Sequence, residues 1–343
     1  MTGTRRKRRT VKMGDVARVA GVSLMTVSRA FRRDASIGEK TRARILRIAE
    51  NLGYVLDTTA SNLRTQRTGF VALTVPSINN GNFAETVNAL SAEISPAGLQ
   101  VLLGYDLYDT AEEERLIEQL LRRRPEAIVV TGGRHTERCR RLLKAAAIPV
   151  IEMWDLPRRP IGHVVGFSNA ACIGLLVDHL VGRGARRIAF IGGDISDDTR
   201  GADRRRGFLA AMRRHGLNPD LLIPIGVPPA SMAKGAVAMA QLLDMAPDTE
   251  AVIGVSDLAA FGALSECQRR GLRVPKDIAV AGFGAYDIAA VSVPTLTTID
   301  PHCAEIGRSA GKLILELLSG GRKTAPAARI KVRPALRIGG STR

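Results

Sequence analysis

Ser168, five histidines and four cysteines carry the nucleophiles, bases and metal ligands of this chain, and their spacing argues against catalysis. Gly166-Phe167-Ser168-Asn169-Ala170 approaches the G-x-S-x-G elbow, follows a predicted strand and opens a helix. The last glycine is missing, so Ser168 reads as a helix N-cap. Gly182-Arg183-Gly184 precedes a strand instead of following one, so it cannot cradle a dinucleotide pyrophosphate. Ser309-Ala310-Gly311-Lys312 lacks the P-loop spacing. His135, His163, His179, His215 and His302 form no H-x-x-x-H and suggest no histidine–carboxylate metal site. Cys139, Cys172, Cys267 and Cys303 form no C-x-x-C and read as reduced structural thiols of a cytoplasmic protein. The expectation is a non-enzyme with no cofactor and no metal.

Binding chemistry is stronger. In Gly21-Val22-Ser23-Leu24-Met25-Thr26-Val27-Ser28-Arg29, the glycine permits a sharp turn and Ser23 stands where a helix needs its N-cap. Upstream, Val16, Val19 and Ala20 recur at helical spacing with Asp15 near the start. Val27, Ala30 and Phe31 face inward, while Leu24, Met25, Thr26, Ser28 and Arg29 face outward. Two short helices about a glycine turn form a helix-turn-helix, whose second helix enters the DNA major groove. An ordinary helical hairpin shares this spacing, and charge separates the two readings. Residues 1–67 hold 16 Lys/Arg against 5 acids, which is +11 of the chain's net +17. That footprint attracts a polyanion through counterion release. No apolar run reaches membrane-spanning length, so no membrane partner is expected.

The elements that position these residues follow in order. Residues 1–10 read as a basic disordered tail. A third helix over 40–52, opened by a capping box at Ser36-Ile37-Gly38-Glu39, would cover the first two through Ile45, Ile48, Ala49 and Leu52. This closes a head over 11–56. Asp15-Val16-Ala17, Gly21-Val22-Ser23, Thr26-Val27-Ser28-Arg29, Thr41-Arg42 and Leu52-Gly53-Tyr54 together resemble the lactose/galactose repressor (LacI/GalR) family. The resemblance implies that residues 57–67 are a linker folding into a hinge helix only on operator DNA, with Leu63 wedged into the minor groove. Many relatives carry proline where Leu56 stands.

Beyond residue 68, β-rich runs at 70–75, 99–103, 127–131 and 150–153 alternate with helical stretches at 83–95, 111–123 and 136–147. A second set of strands follows at 187–191, 222–225, 251–255 and 278–282. Two such sets predict two doubly wound parallel-sheet lobes over 68–343, a periplasmic-binding-protein-like core with a ligand cleft between them. Runs 164–167 and 296–299 read as crossovers between lobes.

Cleft residues are expected at strand C-termini: 80–83, 131–135, 152–155, 200–204, 256–257 and 284–287. The selected effector contacts are Asn82, Phe83, Arg134, His135, Glu152, Trp154, Asp155, Arg204, Lys234, Ser256, Asp257 and Asp287. Trp154, the only tryptophan, either offers a platform to a sugar face or is buried between lobes. The cations suit a carboxylate better than a neutral sugar. His135-Thr136, Gly166-Phe167 with Asn169, Glu266-Cys267-Gln268-Arg269 and Ala281-Gly282-Phe283-Gly284 with Asp287-Ile288 are similar to gluconate-operon repressors of the family. Most members place an acid after the Gly-Phe/Tyr pair, where this chain has Gly284.

The resemblance implies a homodimeric repressor of palindromic operator DNA, with pairing of dimers into a tetramer left open. Thr26, Ser28 and Arg29 would meet bases or phosphates, and Leu24 and Met25 thymine methyls. A sugar acid, gluconate or a related aldonate, would act as inducer. The alternatives are a neutral-sugar regulator and a sugar-binding module that binds DNA without sequence preference.

Overall fold

The computed structural model describes residues 11–31, 36–56, 68–194, 198–320 and 326–342. The chain divides into two compact units, Met1–Arg67 and Thr68–Arg343.

In the first unit, α1 (Met13–Ala20) starts with the Lys12 backbone N–H donating to the Asp15 carboxylate at 3.0 Å. It ends at Gly21, whose φ of +63° a side chain would oppose. Ser23 caps α2 (Leu24–Ala30) by accepting from the Thr26 N–H at 3.2 Å. The third helix, α3 (Glu39–Leu52), begins at Gly38 and not through a Ser36 capping box. Ser36 lies two residues upstream of that N-cap, outside reach of the first free N–H groups. Val16, Ala17, Ala20, Val27, Ala30, Ile45, Ala49 and Tyr54 form the core. Val19, at helical spacing with Val16 and Ala20, is 54% exposed. Arg42 donates Nε–H to the Ala30 carbonyl at 3.1 Å and ties α3 to the end of α2.

The second unit contains two six-stranded sheets. Strands β1 (Phe70–Val75), β2 (Gln100–Tyr105), β3 (Ala127–Thr131), β4 (Val150–Met153) and β5 (His163–Gly166) are joined by α4 (Gly81–Ile94), α5 (Thr110–Arg122) and α6 (Glu137–Ala145). The chain then crosses into α7 (Asn169–Gly182), β6 (Ile188–Ile191), α8 (Thr199–Arg214), β7 (Leu222–Ile223), α9 (Met232–Met245), β8 (Ala251–Gly254), α10 (Asp257–Arg269), β9 (Ala279–Phe283), α11 (Asp287–Val291) and β10 (Thr297–Asp300). It returns through α12 (Cys303–Leu318), which packs on α4, and ends in β11 (Arg329–Lys331) and β12 (Ala335–Arg337).

The sheet orders are β11-β5-β4-β3-β1-β2 and β12-β10-β9-β8-β6-β7. Every pairing is parallel except β12 on β10. Central strands such as β3 are buried along their whole length, as a parallel sheet covered on both faces requires. The runs at 164–167 and 296–299, expected as crossovers, are instead the strands β5 and β10. The crossings come just after them, and a third links β11 to β12.

Candidate functional site: a helix-turn-helix unit and a charged cleft

In the helix-turn-helix unit, α2 offers Leu24, Met25 and Arg29 to solvent, at 55% and 65% exposure for the two apolar residues, with Thr26 and Ser28 half-buried beside them. Buried Val27 and Ala30 hold this helix against α1 and α3, so its outer face is free for a partner. Leu63, the expected wedge, lies outside the described residues.

In the two-lobed unit, a cavity of about 240 Å³ opens between the sheets, where the C-terminal ends of parallel strands meet. Four helix N-caps line it: Asn80 of α4, Asp198 of α8, Ser231 of α9 and Ser256 of α10. Each side chain accepts a backbone N–H of its own first turn. Four positive helix ends therefore converge on one space.

Arg200 and Arg204, one turn apart on α8, project into the same cavity. Arg204 donates Nε–H to Asn169 Oδ1 and an Nη1–H to the Val255 carbonyl, both at 3.0 Å, and its guanidinium sits 3.6 Å over the Phe283 ring. Arg200 is buried, donates to the Thr131 carbonyl at 3.3 Å, and stacks on Phe83 and Tyr108. Among the described residues neither joins an ion pair, and desolvation holds the Arg204 guanidinium below its usual pKa. Asp198 is the cavity's only carboxylate among the described residues, leaving two cations against one anion.

Phe83, Trp154, Tyr108 and Phe283 supply the aromatic wall. Trp154 meets Phe83 and Phe167 edge-on, with centroids 5.1 and 5.8 Å apart, and its Nε1–H is buried without a partner. Tyr108 and Trp154 hold left-handed backbone at φ +65° and +69°, strain of about 1 kcal/mol or more each, retained at the cavity wall. The lobes also meet across the mouth. Tyr286 donates its hydroxyl to Asn80 at 2.7 Å, Asn82 donates to the Gly284 carbonyl at 3.0 Å, and Arg134 pairs with Asp203 at 2.7 Å.

Of the twelve expected contacts, Asn82, Phe83, Trp154, Arg204 and Ser256 line this cavity. The other seven do not. Arg134 is spent on Asp203 at the rim. His135 and Glu152 are enclosed inside the first lobe, where Glu152 accepts the Ile161 N–H at 2.6 Å. Asp155 turns back to accept the Leu156 N–H at 2.8 Å. Lys234 binds the Val227 and Pro229 carbonyls. Asp257 lies under the wall, accepting from Thr298 at 2.6 Å and from the Tyr286 N–H at 2.9 Å, with burial pushing its pKa to about 6. Asp287 opens α11 and faces a separate depression of about 700 Å³, so it does not replace the acid missing at 284. In that wider space Arg337 and His302 are both paired with Asp300.

Gly284 itself has φ +128°, and a Cβ there would lie 2.4 Å from the Tyr286 ring and 2.7 Å from Asn82 Nδ2. The residues not foreseen are Tyr108, Asp198, Phe283 and the loop Pro228–Ser231, and Tyr108 follows a strand C-terminus as the selected residues do. Ser168 accepts the Ala171 N–H at 3.1 Å, the N-cap its sequence predicts. The histidines do gather carboxylates: Glu113, 22 residues before His135, meets it across the α5–α6 packing, a distance no local spacing reveals.

Residues 12–57 match the bacterial regulatory proteins of the lacI family, and residues 177–342 match a periplasmic binding protein-like domain. The HTH-type transcriptional regulator GntR of Pseudomonas aeruginosa is 38% identical over 308 residues, covering 90% of this chain and 89% of the relative. A LacI-family transcriptional regulator from Silicibacter pomeroyi superposes with a TM-score of 0.90 at 30% identity, over 97% of this chain and 100% of that one. The lac repressor dimer bound to operator shares the fold, with a TM-score of 0.83 at 22% identity over 97% and 99% of the two chains. Among the described residues no helix is long and apolar enough to cross a membrane. These relatives are named as transcriptional regulators, and the chain belongs to the LacI family of bacterial regulatory proteins, as a transcriptional regulator with a DNA-binding helix-turn-helix domain.

Proposed function

We propose that the chain is a dimeric operator-binding repressor released by a singly charged sugar acid, gluconate or a related aldonate. The observation that carries the effector class is the pair Arg200 and Arg204, both without a carboxylate partner among the described residues, in a cavity where those residues supply one acid. A carboxylate would complete them, since guanidinium recognises it in a planar, two-point fashion. The remaining Asn, Ser and Tyr groups suit hydroxyls, and about 240 Å³ is below the roughly 300–1,000 Å³ of drug-sized pockets. A neutral hexose would leave an unpaired cation enclosed, and a sugar phosphate dianion would exceed the charge available.

At the output end, Thr26, Ser28 and Arg29 would contact bases or phosphates, with Leu24 and Met25 against thymine methyls and Leu63 in the hinge. Two-fold pairing of heads on a palindrome follows the lac repressor relative, a dimer bound to operator. It is supported here by exposed Leu103 and Tyr105 on edge strand β2, Leu107 just beyond it, Val291 at the end of α11 and Val293 after it. Effector contacts come from both lobes, so ligand favours one lobe arrangement over another, with typical coupling of about 1–3 kcal/mol.

Mobility shifts on the chain's own promoter DNA test this reading. Gluconate should release a sequence-specific complex that glucose leaves intact. A complex indifferent to every sugar acid sinks the effector, and binding without sequence preference at physiological salt sinks the repressor.

A further inference from the structure

Away from the cleft, three metal-binding side chains meet inside the first lobe. Glu113 projects from α5, His135 directly precedes the N-cap of α6, and Cys139 lies in the first turn of α6. One donor atom from each falls within 4.8 Å of the other two. The turn capped by Thr136, which accepts the Cys139 N–H at 3.0 Å, brings residues four apart to the same side. His135 Nδ1 stands 2.9 and 3.1 Å from the two Glu113 oxygens, and the Cys139 sulfur lies beside the same ring. His135 Nε2 faces Glu152 Oε1 at 3.7 Å, too long for a hydrogen bond, and both atoms are buried with no hydrogen-bond partner among the described residues.

Leaving two such atoms unsatisfied is costly. We propose that Glu113, His135 and Cys139 bind a thiophilic divalent cation of the zinc class, with Glu152 orienting the imidazole. One sulfur, one nitrogen and one carboxylate is a donor set that suits zinc, not the oxygen-seeking calcium and magnesium. Ligation through Nδ1 fixes the tautomer that donates Nε2–H to Glu152, the carboxylate–histidine–metal arrangement that raises ligand basicity. The sulfur binds as thiolate, so uptake of each cation releases the Cys139 proton. Glu113 also borders a crevice with Asp106, Asp109, Arg134 and Arg200. The occupied site would clamp α5 to α6 and fix the loop whose Arg134 pairs with Asp203 of the opposite lobe.

The test uses the metal-free full chain with cobalt(II) as spectroscopic probe and zinc in competition with a chelator. Expected are about one equivalent per chain, a thiolate-to-cobalt charge-transfer band and a raised Tm. Cys139→Ser should abolish the band, Glu152→Gln should weaken zinc about 10- to 100-fold, and Cys267→Ser, in the other lobe, should leave the band intact. Should Cys139→Ser fail to fold, Glu113→Gln reads the same loss by chelator competition. No thiolate band in the wild type, or one that survives Cys139→Ser or Glu113→Gln with unchanged zinc affinity, overturns the proposal.

Discussion

Arg204→Met is the sharpest perturbation of the cleft. The guanidinium spends two of its five N–H donors on Asn169 and Val255, which leaves three for a ligand. Two charge-assisted hydrogen bonds to a carboxylate, less the reorganisation of the site, contribute about 3 kcal/mol, or roughly 150-fold in affinity. Methionine preserves an unbranched stem over the Phe283 ring and removes only charge and donors. Relief of an unpaired enclosed cation opposes the loss of two protein hydrogen bonds, so Tm should move by no more than about 2–4 °C. Calorimetry with gluconate should show the affinity loss, and a mobility shift should show operator complexes that gluconate no longer releases. Release of the variant at the wild-type gluconate concentration would refute the role of Arg204 as the carboxylate anchor. Loss of operator binding in the absence of gluconate would instead make Arg204 a support of the lobe arrangement.

Other perturbations separate the remaining contributions. Trp154→Phe keeps an aromatic ring and removes a donor without a partner among the described residues, so stability should fall only by the packing of the smaller ring, about 1–2 kcal/mol, while gluconate weakens about 2- to 10-fold. An unchanged affinity would mean the indole N–H does not meet the ligand. Asp106 has its pKa pushed to about 7, first by burial and then by Glu113, so the folded state holds the proton more tightly than the unfolded chain. Stability is therefore lost as pH rises from about 4 to 7. Asp106→Asn, which keeps an acceptor for the Tyr108 N–H, should gain about 2–4 kcal/mol at pH 8. The gain should shrink toward pH 4, and urea melts across pH read the slope. Restoring the family's acid by Gly284→Asp should cost about 2–5 kcal/mol through φ strain and the clash with Tyr286 and Asn82, measured by urea unfolding. Ser23→Ala removes the cap of α2 and should cost the head unit about 0.5–2 kcal/mol, with a parallel loss of operator affinity.

The head was legible because its signals are local: Gly21 needs a left-handed turn, Ser23 is two residues on, and Val27 and Ala30 share a face. The central strands were legible as continuous apolar runs. Strands β11 and β12 were not, because three residues, none of them fully buried, carry no periodicity and their pairing is long-range. In the cleft, placing ligand groups after strand C-termini found Asn82, Phe83, Trp154, Arg204 and Ser256, but direction within each loop was hidden. Glu152 and Trp154 lie two apart, which an extended strand would put on one face. The left-handed backbone at Trp154 sends the indole into the cavity while Glu152 stays inside the lobe. Lys234 looked available until the carbonyls of the 227–229 loop claimed its ammonium. The Glu113–His135 pairing joins residues 22 apart and has no local signature.

Titration calorimetry of the effector-free full chain with gluconate, glucose and gluconate 6-phosphate would weigh the charge of the cleft against its shape. Two arginines facing one aspartate among the described residues predict one site per chain that takes gluconate, binds gluconate 6-phosphate at least about tenfold more weakly, and shows no measurable heat with glucose. Glucose binding as tightly as gluconate, or gluconate failing to bind, would contradict it.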